Sequence, residues 1–476
     1  DEWCDVDVLR ILRQRSLAVL RREVEPADAE ALARFLPAWH GVAPVGTRPE
    51  STGADRVLEV IGQLEGLALP ASALEADILA VRVRDYDPRM LDELMVSGEV
   101  MWVGAGPLGR GDGRVVLARR EVAGLLLPRL GYGPADPAGS GPPPGGVGPV
   151  DAVVGRDGLH DHIRQQLAAR GACFFREIGA VRWSDQEVLA ALWDLVWSGE
   201  VTCDGFAAVR AVVSPASGAG RRSGGRGSGR PRTAPLPRPA RPRPGPIRAT
   251  APPSGQGRWS LVGRELSAPL IDDPRVRSRH DVESAAAAVG ALLERHGVLT
   301  RDAVRFEAVP GGFAGIYPVL KTLEESGRIR RGYFLSGMGG AQFALPGAVD
   351  RLRAESRRVD TGRDDPEVHV LAATDPANPY GASIPWPVKG PQRVAGAYVV
   401  LVDGLGCAYL ERSGRGLVAL RDPDPGWGPP VAGALADLVK AGRWRRLALQ
   451  RWPDDLTEAL TSAGFVPSPK GLVLYR

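Results

Sequence analysis

The chain has little cysteine, little lysine and no long apolar run. Its four cysteines, Cys4, Cys173, Cys203 and Cys407, lie too far apart for a Cys-x-x-Cys metal site or a disulfide framework. They read as small buried side chains in a reducing cytosol. No stretch approaches the roughly 18 apolar residues of a membrane span, and no secretory leader heads the sequence, so a cytoplasmic, nucleoid-associated protein with no membrane contact is expected. Gly-x-x-x-x-Gly-Lys-Ser/Thr is absent, which removes the usual backbone cradle for nucleoside phosphates. The chain opens on Asp1 rather than methionine and is expected to be a fragment of something larger.

Glycine and proline are abundant, at 60 and 42 of 476 residues, more than a compact enzyme needs. The net charge of +4 invites a nucleic-acid reading until its location is considered. Residues 214–257 hold nine arginines and no acid, so the rest of the chain carries +4 − 9 = −5. Only Lys321, Lys389, Lys440 and Lys470 are lysine among the 60 basic residues, a bias that a G+C-rich genome produces without selection for binding. Length suggests several small modules.

An internal repeat organises the sequence. Leu91-x-x-Leu94-x-x-Ser97-Gly98-Glu99-Val100 recurs from Leu192 to Val201 and from Leu320 to Ile329, with a fainter echo from Leu435 to Trp444. In the first three copies the leucines share one helical face, the glycine sits where a helix ends in a left-handed cap, and β-prone residues follow. Short amphipathic helices precede each and a hairpin follows, the order of a winged helix. From Glu367 to Leu420 the period changes to two, with Asp403-Gly404 and Ser413-Gly414 as turns. The expected fold is α+β: tandem winged-helix (helix-turn-helix) modules followed by a small C-terminal β-barrel. The divisions are a helical segment 1–50, a winged helix 51–132, a Gly/Pro linker 133–150, a winged helix 151–213, a disordered Arg/Pro/Gly linker 214–257, a winged helix 258–360, and a barrel with C-terminal helix and strands 361–476.

Several strings resemble the Lhr (large helicase-related) family of bacteria: Trp3-Cys4-Asp5, Arg21–Pro26, Phe35–Trp39, Arg82–Tyr86, Gly104–Gly113, Gly257–Ser260, Val309–Gly315 and Leu371–Gly381. The resemblance covers both halves of the chain. It implies the C-terminal region of an ATP-dependent, superfamily-2, single-strand DNA translocase linked to repair, similar to AlkZ-type winged-helix DNA glycosylases. ATP and Mg would then belong to the parent protein, with no cofactor in this fragment. The partners implied are single-stranded DNA or a DNA/RNA hybrid, the N-terminal helicase core of the same protein, and further copies of it. Two features depart from the pattern: no ATPase motor is present, and no two glutamines stand two apart, so the Gln-x-Gln pair of AlkZ-type enzymes is missing.

For DNA contact the third module stands out, because Lys321, Arg328, Arg330 and Arg331 converge where its last helix meets its wing. The corresponding helix of the second module offers Gln186, Glu187 and Asp194, and the two acids repel phosphate. Trp259, Trp386 and Tyr380 are candidates for stacking on bases. Asp375, and after it Asp403, are the candidate catalytic carboxylates for base excision, although Asp403 before Gly404 is also what a tight turn requires. Gly104-x-Gly106-x-x-Gly109 runs from strand to strand and reads as a wing turn rather than a dinucleotide site. His160-x-His162 lacks a third ligand, and no metal site is expected. Three functions remain open: an accessory nucleic-acid-binding and assembly region, a DNA glycosylase removing a deaminated or damaged base such as uracil, and an oligomerisation scaffold.

Overall fold

In a computed structural model, each of the first three Leu-x-x-Leu-x-x-Ser-Gly strings ends a helix by the same set of bonds. At the first copy Gly98 N–H donates to Met95 O at 3.1 Å and Glu99 N–H to Leu94 O at 3.0 Å; at the third, Gly327 and Arg328 repeat the pattern at 2.9 Å each. The serine hydroxyl donates to the leucine carbonyl three residues back, from Ser97, Ser198 and Ser326 alike. Carbonyls left over at the helix end are thereby satisfied, which is why these residue types recur at this spacing. The glycines hold φ of 80°, 80° and 74°, where a Cβ is unfavourable.

The structure describes residues 26–132, 157–213, 252–266, 274–357 and 366–476, apart from 110, 180–181 and 423–425, together with parts of 7–15. Much of the first half of the expected helical segment 1–50 and both low-complexity linkers lie largely outside the described residues. Helix α1 (Ala29–Trp39) is capped by the Asp28 carboxylate, which accepts from Ala31 N–H at 2.6 Å.

The first module comprises α2 (Ala54–Leu64), β1 (Leu69–Pro70), a π-helical turn Leu74–Leu79, α3 (Pro88–Val96), the hairpin β2 (Val100–Pro107) and β3 (Gly113–Arg119), and α4 (Arg120–Arg129). The second contains α5 (Asp157–Arg170), β4 (Cys173–Phe174), α6 (Asp185–Trp197), β5 (Val201–Cys203), α7 (Ala207–Val213) and β6 (Arg258–Leu261). The sequence assigns Arg258–Leu261 to the third module; instead it pairs with both β4 and β5, completing the sheet of the second. The Arg/Pro/Gly tract is thus inserted between the two strands of a wing. The third module follows as α8 (Pro274–His296), β7 (Val298–Leu299), α9 (Arg301–Phe306), α10 (Gly312–Glu325), β8 (Arg330–Gly332), β9 (Gln342–Ala344) and α11 (Pro346–Arg357). All three sheets place the last strand in the middle, in the order β1-β3-β2, β4-β6-β5 and β7-β9-β8.

The expected C-terminal barrel is corrected. The strands β10 (Val368–Ala372), β11 (Tyr398–Val402), β12 (Leu405–Leu410) and β13 (Leu417–Ala419) form an open antiparallel sheet in simple order, and among the described residues β10 and β13 do not pair. Packing gives the reason. Leu371, Val399, Leu401 and Tyr409 on one face join the core built with α1 and α11, while Val370, Val400, Val402, Ala408 and Leu410 on the other pack with α12 (Gly428–Lys440). A sheet covered on both faces has no interior of its own to close around.

The fainter echo ends α12, with Gly442 N–H donating to Val439 O and Arg443 N–H to Leu438 O, each at 3.0 Å. The strands that follow, β14 (Arg446–Leu449), β15 (Val466–Ser468) and β16 (Gly471–Tyr475), take the order β14-β16-β15, the winged-helix sheet order once more. Here the string closes the helix before the first strand of the sheet, rather than the helix before the hairpin.

Candidate nucleic-acid interface

The third module's surface is built on α10. Ile316, Leu320 and Glu324 face inward, whereas Ala314, Pro318, Lys321, Thr322 and Glu325 lie outward along one stripe. Lys321 stands 3.8 Å from Glu325, one turn on, and both are largely in solvent. Arg328 is exposed, and neither it nor Arg330 on β8 has an acidic partner among the described residues. Arg331 lies 5.9 Å from the Tyr317 ring centroid and 6.0 Å from that of Phe343, which steadies the guanidinium. Tyr333, 63% exposed, extends the same edge and was not singled out in the sequence. Lys321 and Arg328 are thus exposed towards and just beyond the end of α10, while Arg330 and Arg331, neighbours on β8, project to opposite faces of the strand.

The aromatic candidates are placed differently. Trp259 is fully buried in the core of the second module, edge-on to Trp193 at 5.8 Å, and offers no face to a base. Tyr380 is buried, its hydroxyl accepting from Gly406 N–H at 2.9 Å, and its ring stacks on half-buried Trp386 at 6.1 Å. Trp386 in turn meets Tyr409 edge-on at 5.5 Å, so these three rings pack a loop against the sheet.

Asp375 is fully buried, and its two oxygens accept from Arg82, equally buried, at 2.6 and 2.8 Å; one oxygen also accepts from Ala377 N–H at 2.8 Å. The pair ties the first module to the sheet and leaves no solvent path to the carboxylate. Asp403 is exposed at φ 48°, beside Gly404 at 80°, and accepts from Glu367 N–H at 2.9 Å, the turn role its sequence implies. The two aspartates share no partner.

Where the first module, the third module and the sheet meet there is a cavity of about 380 Å³ whose lining includes Tyr132, Glu307, Thr374, Asn378 and Arg393. Burial alone would raise the Glu307 pKa, but Arg295 and His296 outweigh it and hold the carboxyl at about 2. Arg295 donates to both oxygens at 2.7 and 2.6 Å, and His296 Nε2 lies 2.6 Å from one of them. The next residue, Ala308, has φ 47°, a strained conformation for a side chain with a Cβ. Arg393 donates to the carbonyls of Asn378, Tyr380 and Asp375, and its guanidinium lies 4.7 Å from the Phe306 ring. Burial lowers its pKa to about 10 against the pull of Asp375 and Glu307. Its Nε and the Thr374 hydroxyl have no hydrogen-bond partner. Burial and the Glu307 charge push the Tyr132 hydroxyl up to about 12, keeping it a neutral donor.

The sequence flagged the Val309–Gly315 string bordering this cavity but not Glu307 itself; a lone glutamate carries no periodic signal. Arg393 likewise sits in a loop with no pattern. No group of three or more His, Cys, Asp or Glu able to hold a metal occurs among the described residues.

Residues 27–120 and 278–364 match family models described as the large helicase-related protein winged-helix domain. The resemblance to Lhr proteins holds. The chain is 43% identical over 497 residues to a Mycolicibacterium smegmatis protein named Lhr helicase/probable uracil glycosylase, with 100% of this chain and 30% of that protein aligned. It is 34% identical over 504 residues to the Escherichia coli Lhr helicase/uracil glycosylase, with 99% and 30% covered. The Lhr-like chain thus spans about a third of the length of these relatives. The solved DNA glycosylase AlkZ of Streptomyces sahachiroi aligns over 90% of this chain and 100% of its own at 15% identity, with a TM-score of 0.48.

Proposed function

We propose that the chain is the accessory nucleic-acid-binding and assembly region of an Lhr-type repair helicase, whose ATP- and Mg-dependent motor lies elsewhere in the parent protein. The observation that carries this reading is the third winged helix, where exposed Lys321 and Arg328 stand towards and just beyond the end of α10 and Arg330, Arg331 and exposed Tyr333 follow along and just after β8. Cations there hold phosphates and set register, and the aromatic suits an unstacked base, so a single strand or a DNA/RNA hybrid is the expected partner. The test is the salt dependence of oligonucleotide binding by the chain and by its Arg330→Glu/Arg331→Glu variant. The variant is expected to bind more weakly with a slope flatter by about one unit or more. An unchanged slope and affinity would move the contact elsewhere.

The cavity favours a second reading, excision of an extruded base such as uracil, the base named for both relatives. Its volume suits a nucleobase, and Thr374 and Arg393 supply unsatisfied polar atoms for a base edge. Breaking the N-glycosidic bond builds positive charge on the sugar, which an ionised carboxylate stabilises. Glu307 lines the cavity and stays ionised, whereas Asp375 is sealed against Arg82 and Asp403 holds a turn. Abasic-site formation on uracil-containing single strands is expected to fall in Glu307→Gln and in the cavity-filling Thr374→Met, with Asp403→Asn unaffected. Thermal melts separate lost chemistry from lost fold. No abasic sites with the wild type, DNA binding intact, would leave the accessory reading alone.

A further inference from the structure

At the far end of the chain, the small sheet β14-β16-β15 turns one face inward, while its other face buries Val473 at the centre and exposes Arg446 and Tyr475. Leu447, Leu449, Leu472 and Leu474 pack beneath it with α12, so by strand alternation Arg446, Ala448, Val473 and Tyr475 lie on the outer face. Arg446 and Tyr475 are register partners on adjacent strands, and Tyr475 is 61% exposed. Beside them Val466 is 52% exposed. The turn Ser413–Arg415 rises alongside, anchored by Gln450 N–H donating to Arg415 O at 2.7 Å, and a groove of about 530 Å³ runs between turn and sheet.

The charge in this groove is of one sign. Its lining includes Arg415, Arg446 and Lys470 and no aspartate or glutamate, and none of the three cations has an ion-pair partner among the described residues. The larger groove near α1 differs: there Arg48, Arg56 and Arg119 alternate with Glu50, Glu59 and Glu121, and Arg56 and Arg119 are paired with acids. Unpaired cations around an exposed tyrosine on a strand face are the pieces that single-strand binding combines, a backbone track and a stacking platform. An exposed tyrosine ring stacks on an unpaired base, which a duplex does not offer, so a single strand is the occupant this face fits.

We propose that the β14-β16-β15 face and the Ser413–Arg415 turn form a second nucleic-acid site, which takes single-stranded nucleic acid with a base stacked on Tyr475 and phosphates on Arg415, Arg446 and Lys470. The site is separate from the third winged helix and does not depend on that assignment. Together the two would hold one strand at two points and raise affinity through effective concentration.

The test is fluorescence anisotropy of a labelled oligo-dT with the full chain, repeated over a range of salt. Arg415→Gln/Arg446→Gln/Lys470→Gln is expected to flatten the salt slope by about two units, at roughly 0.7 per phosphate contact on single strands. Tyr475→Ala is expected to weaken binding about tenfold with the slope unchanged, since stacking carries no counterion release. All four side chains are outward-facing, and a thermal melt of each variant confirms the fold. Arg330→Glu/Arg331→Glu in the same assay reads the third module separately, so either site can fail without the other. An unchanged slope and affinity in the triple variant would overturn the proposal. If that variant also loses binding to a poly-glutamate peptide, the groove belongs to an acidic protein segment instead.

Discussion

The second and third winged helices end their last helices with the same Leu-x-x-Leu-x-x-Ser-Gly string, yet those helices sit in opposite surroundings. Helix α6 of the second module is buried nearly all round; its exposed residues are Asp185, Gln186, Glu187 and Asp194. It lies against β2 of the first module, so close that a Cβ on Gly104 would collide with the Val196 carbonyl and one on Gly113 with the Trp197 ring. Thr202 donates to Trp102 O at 2.5 Å across the same junction, and the two modules share one hydrophobic core. Helix α10 of the third module has its own core and keeps an outward stripe with Lys321 at its end. The last helix of a winged helix is therefore packed away or left exposed according to what covers it. The repeat itself does not decide.

The contrast can be broken at the level of stability. The third module holds a buried ion pair, Arg295 with Glu307, and Arg295→Ala would leave a desolvated carboxylate; a loss of about 3–5 kcal/mol is expected in denaturant unfolding. The second module's Arg164–Glu200 pair is partly solvated, and Arg164→Ala should cost under about 1 kcal/mol. Equal losses would remove that distinction. Gly104→Ala attacks the junction on which α6 depends, with an expected cost of about 1–3 kcal/mol and oligonucleotide affinity unchanged among folded molecules.

Acid should weaken the fold through two groups. Glu307 has a folded pKa of about 2 against an ordinary 4.5, so its contribution is present above 4.5 and lost as pH falls towards 2. His40, held well below 6.5 by burial and then by the charges of Arg82, His296 and Arg295, stays neutral in the fold. The unfolded chain takes up its proton first, so stability falls as pH drops through 6.5. Unfolding midpoints at neutral pH and near pH 5 should therefore decline, and Glu307→Gln should flatten the decline below about 4.5. The smallest effect is expected from Glu187→Gln/Asp194→Asn, which changes only the solvent edge of α6: stability within about 0.5 kcal/mol and no gain in DNA affinity. Tighter binding would show that α6 does approach phosphate.

Much of this was legible in the sequence where local chemistry dictates geometry. The serine and glycine of the repeat announce the helix end because their bonds span five residues, and Asp403-Gly404 announces a turn for the same reason. The third module's cations were legible because Leu320–Arg331 is one contiguous stretch. Long-range facts were not. Nothing near Arg82 or Asp375 says that they meet across 293 residues, and the alternation of Tyr398–Val402, apolar at every position, marks a strand covered on both faces without saying by what. Trp259 follows the Arg/Pro/Gly tract 214–257, so its strand looked like the start of a module rather than the close of one. Glu307 and Arg393 reach the cavity from loops on different elements, and only the fold brings them together.

On the proposed reading, nucleic acid meets the third winged helix and not the second. The salt slope of single-strand binding decides between them, compared for the wild-type chain, Arg330→Glu/Arg331→Glu, and Gln186→Glu on the solvent edge of α6. A slope flatter by about one unit or more is expected in the third-module variant, with no change in the α6 variant. The reverse, a flattened slope from α6 with the third-module slope intact, would contradict it.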